Sequence, residues 1–168
     1  EIAEMRGQDP EDALFDLLVE ENLGISTGGL GTNAQPLSAF VSHPSGMIAS
    51  DAILFGEYPN PRTYGCFPIV LAEFVRAEKH LQLPEAIRKM TELPASRLGL
   101  THRGRIAPGM WADLAIFDPE TVADTATFES PHSYATGIRH VVVNGMPVIK
   151  DGEFSGATPG RLLRKFED

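Results

Sequence analysis

One carboxylate, that of Asp51, has a sequence position that is typical of active-site residues. Asp51 directly follows Met47–Ser50, a short apolar run that predicts a strand buried on both faces of a parallel sheet. In parallel α/β proteins, residues at the carboxyl end of a strand project into the mouth of the active site. An Asp after a strand is also a common turn former or helix cap. Position alone therefore leaves a catalytic and a structural role open for Asp51.

Histidine and cysteine provide no local reactive centre. The sequence has no Gly-x-x-x-x-Gly-Lys phosphate loop, no His-Glu-x-x-His and no Cys-x-x-Cys. Cys66 is the single cysteine, so it cannot form an internal disulfide, and we interpret it as a buried, inert thiol in a reducing compartment, by default the cytoplasm. The five histidines are too scattered to form a metal site on one element: His43, His80, His102, His132 and His140.

Composition and charge exclude several classes of function. The 168 residues are 42% hydrophobic and 22% charged, which is typical of globular chains and unlike disordered ones. The formal net charge of -9 argues against nucleic-acid binding, because such a surface repels phosphates. No apolar run reaches the roughly 18 residues that a membrane span requires. The chain begins at Glu1 and not at Met, so we expect it to be part of a longer protein.

The first part of the chain, residues 1–101, predicts an α/β domain. Helices are predicted before and after the buried strand, and this alternation along the sequence is typical of that fold class. The first helix has six apolar residues, and its polar residues form a single narrow stripe, so we expect that helix to be mostly buried. Four glycines between residues 24 and 31 predict a loop. The predicted helices are Asp9–Asn22, Pro36–Ser42, one that starts at Pro68 and one that starts at Pro84. We expect Pro94 to end the last of these helices, and we expect its Glu85, Arg88 and Lys89 side chains to be solvated.

The second part, residues 102–168, predicts antiparallel β structure. Two turn signals separate its later apolar runs, Asn144-Gly145 and then Asp151-Gly152. Asn-Gly between two alternating runs is the strongest short signal for a β-hairpin. The predicted strands are Leu114–Phe117, Ile138–Val143 and Met146–Ile149.

Several segments together resemble a known enzyme family. Residues 103–118 contain the pattern Gly-x-Ile-x-x-Gly-x-x-Ala-Asp-Leu, which many amidohydrolases share. The Pro-Arg-Thr segment within residues 60–68 and the Thr-Val-Ala-Asp-Thr-Ala-Thr run within residues 121–128 narrow the likeness. With Ser50-Asp51, residues 85–91 and Val143-Asn144-Gly145, they resemble the C-terminal part of N-acyl-D-amino-acid deacylases, which are metal-dependent amidohydrolases.

The resemblance implies a fold and a set of roles. It implies the C-terminal portion of a TIM (β/α)8 barrel, whose last strand ends in Asp51, followed by strands of a small β-sandwich. Asp51 would lie beside the zinc, as a possible ligand, and act as the catalytic base and acid by moving a proton from water to the departing amine. Arg62 would bind the substrate carboxylate through its planar fork, although it could instead brace the Pro-rich loop. The remaining metal ligands, including a His-x-His pair, are absent from this sequence.

These inferences leave rival functions open. The first is a zinc-dependent amidohydrolase, acting on carbon-nitrogen bonds other than peptide bonds and cleaving small N-acyl-D-amino acids. On that hypothesis the N-terminal remainder of the same enzyme is the partner of this chain, and the chain alone is inactive. The second is a noncatalytic fragment or assembly module, whose β part packs against a partner chain. The third keeps the amidohydrolase chemistry with a cyclic amide, a urea or a dipeptide as substrate.

Overall fold

The chain divides into two compact units. The computed structural model describes residues 1–25, 34–54 and 58–164. One unit is Glu1–Thr32 and the other is Asn33–Asp168. Most of the loop predicted over residues 24–31 lies outside the described residues. The boundary predicted at residues 101 and 102 stays a prediction.

The first unit contains two helices, α1 (Ile2–Arg6) and α2 (Pro10–Glu20). The predicted start of α2 is confirmed, because the Asp9 side chain accepts a hydrogen bond of 2.9 Å from the Glu11 amide, as an N-cap does. The expected burial of this helix is wrong: Ala13 is its one buried residue, and Leu14, Phe15 and Val19 are exposed. An apolar helical face is buried only where another element covers it.

The second unit begins with helices, α3 (Ala34–Ser42) and α4 (Arg62–Ile69). The helix predicted from Pro68 starts six residues earlier, and Pro68 lies inside it. A proline in a helix lacks the amide of the normal backbone hydrogen bond, and its ring crowds the carbonyl four residues before it. The π-helix Val70–Ala77, here π1, follows at once, and the wider turn of a π-helix relieves such crowding.

Two further helices complete this part, α5 (Leu83–Met90) and α6 (Glu92–Leu98). The sequence predicts that Pro94 ends the first of them, and this is wrong. The break falls at Thr91, whose φ of -131° and ψ of -84° are not helical. Pro94 lies in the first turn of α6, where an amide has no partner within the helix and its absence costs nothing.

The strand predicted over Met47–Ser50 is absent from the described part of the structure. The Ile48 amide donates a hydrogen bond of 3.1 Å to the carbonyl of Lys89, in a helix, and the segment stays extended and half exposed. A barrel strand forms only when neighbouring strands satisfy its amides and carbonyls on both sides. The described residues supply no such neighbour.

The predicted antiparallel sheet is confirmed. Four strands pair in the order β1-β2-β3-β4, and the Asn144-Gly145 and Asp151-Gly152 turns join the last three. Asn144 and Gly145 have φ values of 48° and 80°, the left-handed backbone that a tight hairpin turn needs. The strands are β1 (Leu114–Phe117), β2 (Ile138–Val143), β3 (Met146–Lys150) and β4 (Glu153–Phe154).

The core of the second unit joins the helices to the C-terminal part. Val122, which is fully buried, comes from the segment between β1 and β2 and packs with Val70, Leu71, Leu81 and Ala86 from the helical part. The chain thus mixes helices with an antiparallel sheet. Within the described ranges, no helix has the length and the apolar character needed to cross a bilayer.

Lys89 is the largest correction to predicted exposure. Its side chain is fully buried, and its ammonium donates hydrogen bonds to the carbonyls of His43 and Gly46, the latter at 2.9 Å. A buried cation requires such acceptors, because an unpaired charge away from water is very costly. Lys89 therefore fixes the turn from which the chain runs toward Asp51.

We expect Lys89→Met to destabilise the protein that contains this chain by about 1 to 3 kcal/mol. The change removes a donor that both carbonyls share. The His43 carbonyl keeps its hydrogen bond from the Gly46 amide, so the expected cost is that of the two lost hydrogen bonds. Urea unfolding measures the difference. Lys150→Met, at an exposed position of β3, is the matched control and should change stability little. Equal stability of the two variants would show that Lys89 does not hold the turn.

Candidate active site

The structure brings the two predicted site residues together. Arg62 donates a hydrogen bond from Nη2 to Oδ2 of Asp51 at 3.0 Å and a second from Nε to the Asp51 carbonyl at 3.3 Å. The sequence predicts separate roles for these residues and does not predict that they pair. The two side chains form one charged pair at the N-terminal end of α4.

Local backbone geometry holds each partner in place. Asp51 has a φ of 47°, in the left-handed region that Asp and Asn tolerate better than most residues. Just beyond it, the Ala52 amide donates to Oγ of Ser50 at 3.3 Å. The Arg62 amide donates to Oδ1 of Asn60 at 3.1 Å, which satisfies one free amide at the start of the helix.

The pair faces solvent in this chain. The side chain of Asp51 is 82% exposed and that of Arg62 is 47% exposed. An ion pair so open to water contributes little to stability, because water competes for both partners. The pair is therefore not an important contributor to the stability of this chain.

Cys66 connects α4 to the segment that precedes Asp51. Its Sγ donates a hydrogen bond of 3.4 Å to the carbonyl of Ala49. Burial raises the pKa of this half-buried thiol, and the nearby positive charge of Arg62 opposes the rise. Thiols that remain protonated are poor nucleophiles. The contact is a link between two segments of the backbone.

The described residues contain no complete metal site. Among them, no group of three or more His, Cys, Asp and Glu side chains is placed to hold an ion. Three of the histidines make contacts with residues other than Asp51: His80 with Glu78, His132 with Tyr64, and His140 with Asp151. A zinc site needs three or four protein ligands, and the described residues alone do not provide them.

The long shared pattern in residues 103–118 has a structural role in this chain. The buried Arg103 side chain pairs with the carboxylate of Asp113 and donates to Oδ1 of Asn144 at 2.7 Å. Asp113 also accepts the Asn144 amide at 2.7 Å, through Oδ1. These bonds fix the β2-β3 turn against the segment before β1, which the sequence does not reveal.

The comparison with known proteins agrees with these motifs. A sequence model described as the amidohydrolase family matches residues 1–149. The chain belongs to the amidohydrolase family. The predicted resemblance is thereby confirmed, and it extends to deacylases. A curated D-aminoacylase from Alcaligenes xylosoxydans xylosoxydans is 48% identical to this amidohydrolase chain over 119 residues, which are 71% of the chain and 25% of the relative.

Solved structures of two deacylases resemble this amidohydrolase chain. One is a D-aminoacylase studied for its binuclear metal centre, with 42% identity and a TM-score of 0.77 over 79% of this chain and 28% of that one. The other is an N-acyl-D-glutamate deacylase from Bordetella bronchiseptica, with 34% identity and a TM-score of 0.84 over 97% of this chain and 33% of that one. It holds zinc and a phosphonate inhibitor that mimics the tetrahedral intermediate. The present chain spans about a quarter of the length of the curated D-aminoacylase.

Two contacts that the sequence does not predict fix the first turn of α4 in this amidohydrolase chain. The Tyr64 hydroxyl lies 3.1 Å from Nδ1 of His132, and the Tyr64 ring packs edge-on against Tyr134. Gly65 lies directly against the carboxylate of Asp124. Both contacts join segments about 60 or more positions apart. The signal that could have found them is the presence of Tyr64-Gly65 and Asp124 in the two segments that narrow the family likeness.

A separate apolar cavity of about 790 Å³ lies between α4, α5 and the sheet. Neither Asp51 nor Arg62 contributes to its wall. Most of the lining is apolar, which suits packing between layers better than the chemistry of a charged substrate. The lining includes Phe67, Met90, Ile138, Val141, Ile149 and Phe154.

Proposed function

We propose that this chain is the C-terminal part of a metal-dependent hydrolase that cleaves the amide bond of N-acyl-D-amino acids. The observation that carries the proposal is the pairing of Asp51 with Arg62, which sets a proton-accepting group beside a carboxylate-binding group. The relatives named above are deacylases, which supports this substrate class. In this proposal residues 1–101 belong to the end of a TIM barrel and residues 102–168 to a small β-sandwich. A cytoplasmic location stays a prediction.

Asp51 is the proton shuttle in this proposal. Arg62 binds its Oδ2, and within the described residues Oδ1 accepts no hydrogen bond. The free oxygen is therefore available to a water molecule at the site. A carboxylate within hydrogen-bond reach takes a proton from the attacking water and returns it to the departing amine.

Arg62 is the substrate clamp. Two of its five N–H donors bind Asp51, and those of Nη1 bind no side chain or carbonyl in the described part of the chain. A guanidinium with donors to spare can hold a second carboxylate while it keeps the first. The α-carboxylate of an N-acyl-amino acid would then lie a few ångströms from Asp51, with the scissile amide between this clamp and the base.

Zinc does not fit the described residues as a complete site, because they supply no set of three ligands. In the proposed enzyme Asp51 is the ligand that the described residues contribute. The other ligands and the metal chemistry would come from the remainder of the longer protein. The roles of Asp51 and Arg62 in moving the proton and binding the carboxylate are stated here for these side chains alone.

We expect Arg62→Lys, made in the full-length protein, to raise KM for N-acyl-amino acids by about 10-fold or more. Lysine keeps the charge and loses the planar fork that binds both carboxylate oxygens. Substrates whose carboxylate is replaced by an amide should lose much less, because they never used the fork. Steady-state kinetics on matched acid and amide substrates measures the contrast. Equal losses for both substrates would assign Arg62 to loop structure and remove the clamp from the mechanism.

A further inference from the structure

We propose that Asp124 and His132 are positioning residues for Arg62 and act through the first turn of α4. This inference rests on the proposed function, in which Arg62 binds the substrate carboxylate. The two residues lie in the segment between β1 and β2, about 60 to 70 positions after Arg62, and neither contacts Asp51. The geometry points to them because each one contacts a residue two or three positions after Arg62.

The contact of Asp124 with Gly65 determines where the helix lies. A Cβ atom added at Gly65 would overlap the carboxylate of Asp124, and all three of its nearest atoms belong to that group. The carboxylate is held, because its Oδ1 accepts a hydrogen bond of 2.9 Å from the Ala126 amide. Gly65 is buried, so another segment covers the helix at this position. Because Gly65 has no side chain, the backbone of α4 can lie directly against the Asp124 carboxylate.

The contact of His132 with Tyr64 restricts the rotation of α4 about its axis. The Tyr64 hydroxyl and Nδ1 of His132 are 3.1 Å apart, and their rings meet edge to face with centroids 5.6 Å apart. A directional hydrogen bond at the end of a rigid side chain resists rotation of the helix about its axis. Gly65 therefore fixes the distance of the turn from the β1-β2 segment, and Tyr64 fixes its rotation.

These two contacts also position Arg62, because it is the first residue of the same helical turn. Residues in one helical turn move together, and a displaced turn carries the guanidinium with it. The same part of the helix also contacts the segment that ends at Asp51, since Cys66 donates to the Ala49 carbonyl and Arg62 donates to Asp51. The turn is thus held between the segment before Asp51 and the segment before β2. Loss of either contact on the β2 side should tilt Arg62 away from the carboxylate it binds.

The first test uses Gly65→Ala, Asp124→Ala and the double variant in the full-length protein loaded with zinc. Gly65→Ala should raise KM for N-acyl-amino acids by about 10-fold, and it should affect amide-capped substrates much less, because misplacement of a clamp by about 1 Å has effects of that order or larger. Asp124→Ala alone removes the contact and should also raise this KM. In the double variant it removes the atoms that collide with the new methyl group, and that methyl group takes up part of the vacated space. The double variant should therefore recover most of the selectivity lost in Gly65→Ala. No recovery would overturn the steric part of the proposal.

The second test uses Tyr64→Phe, which keeps the ring and removes the hydroxyl. We expect KM for the acid substrate to rise about 2- to 10-fold, the range that one lost hydrogen bond supports, with kcat little changed. Tyr134→Phe is the matched control, because the Tyr134 ring contacts Tyr64 while its hydroxyl binds no described residue. Parallel loss of kcat on acid and amide substrates in Tyr64→Phe would indicate a structural role and overturn the inference.

The results distinguish this inference from the function on which it rests. If Arg62→Lys shows the acid-specific loss and the Gly65 and Tyr64 variants do not, the positioning role is wrong and the clamp remains. If Arg62→Lys weakens acid and amide substrates equally, then Arg62 does not bind the substrate carboxylate, and that part of the proposed function is wrong. Circular dichroism of each variant establishes that the compared proteins are folded.

Discussion

Replacing Asp51 by Asn in the full-length protein is expected to lower kcat by a factor of about 10² to 10⁴, which is the typical contribution of general acid-base catalysis. Asn matches the shape of Asp and can still accept a hydrogen bond from Arg62, but it cannot take a proton from water. KM should change much less, because the carboxylate clamp is retained. Steady-state kinetics with an N-acyl-D-amino acid at saturating zinc measures both constants.

The backbone at Asp51 decides which substitution is informative. Its φ of 47° suits Asn and strains Ala, so Asp51→Ala would mix strain with lost chemistry. Asp151→Asn is the matched control, because Asp151 has a φ of 53° and an exposed side chain in the β3-β4 turn. It should leave kcat unchanged. Near-normal turnover by Asp51→Asn would make Asp51 a turn residue, the alternative that its position in the sequence leaves open.

Local signals account for the part of the fold that the sequence predicts correctly. Asn144-Gly145 and Asp151-Gly152 define their turns within two residues, and both pairs have the expected left-handed backbone. Asp9 caps α2 through an amide two residues away. Such features need no distant partner, so the sequence around them is sufficient.

The predictions that are wrong depend on distant partners. Met47–Ser50 has the composition of a buried strand, but among the described residues it has no neighbouring strands with which to pair. Lys89 lies on the expected outer face of its helix, and the turn at His43–Gly46 covers it with carbonyl groups. The helix predicted from Pro68 begins at Arg62. No local signal in the sequence specifies these tertiary contacts.

The candidate site divides in the same way. The resemblance identifies Asp51 and Arg62 as candidates, and eleven positions separate them, so a loop can bring them together. It gives no indication that Arg62 pairs with Asp51 or that α4 lies against Asp124. Gly65 is the residue whose importance the sequence hides most completely, because an absent side chain is informative only when its neighbour is known.

The 168-residue chain expressed alone is expected to show no deacylase activity. Its described residues provide no metal site, and Asp51 and Arg62 are open to water, which weakens electrostatic interactions with a substrate. The measurement is hydrolysis of N-acyl-D-amino acids by the purified chain with added zinc. The full-length protein in the same buffer is the positive control, and hydrogen exchange at the β2-β3 hairpin reports whether the isolated chain is folded. Turnover above background by a clean, folded preparation would show that this chain contains a complete catalytic centre, contrary to the proposal.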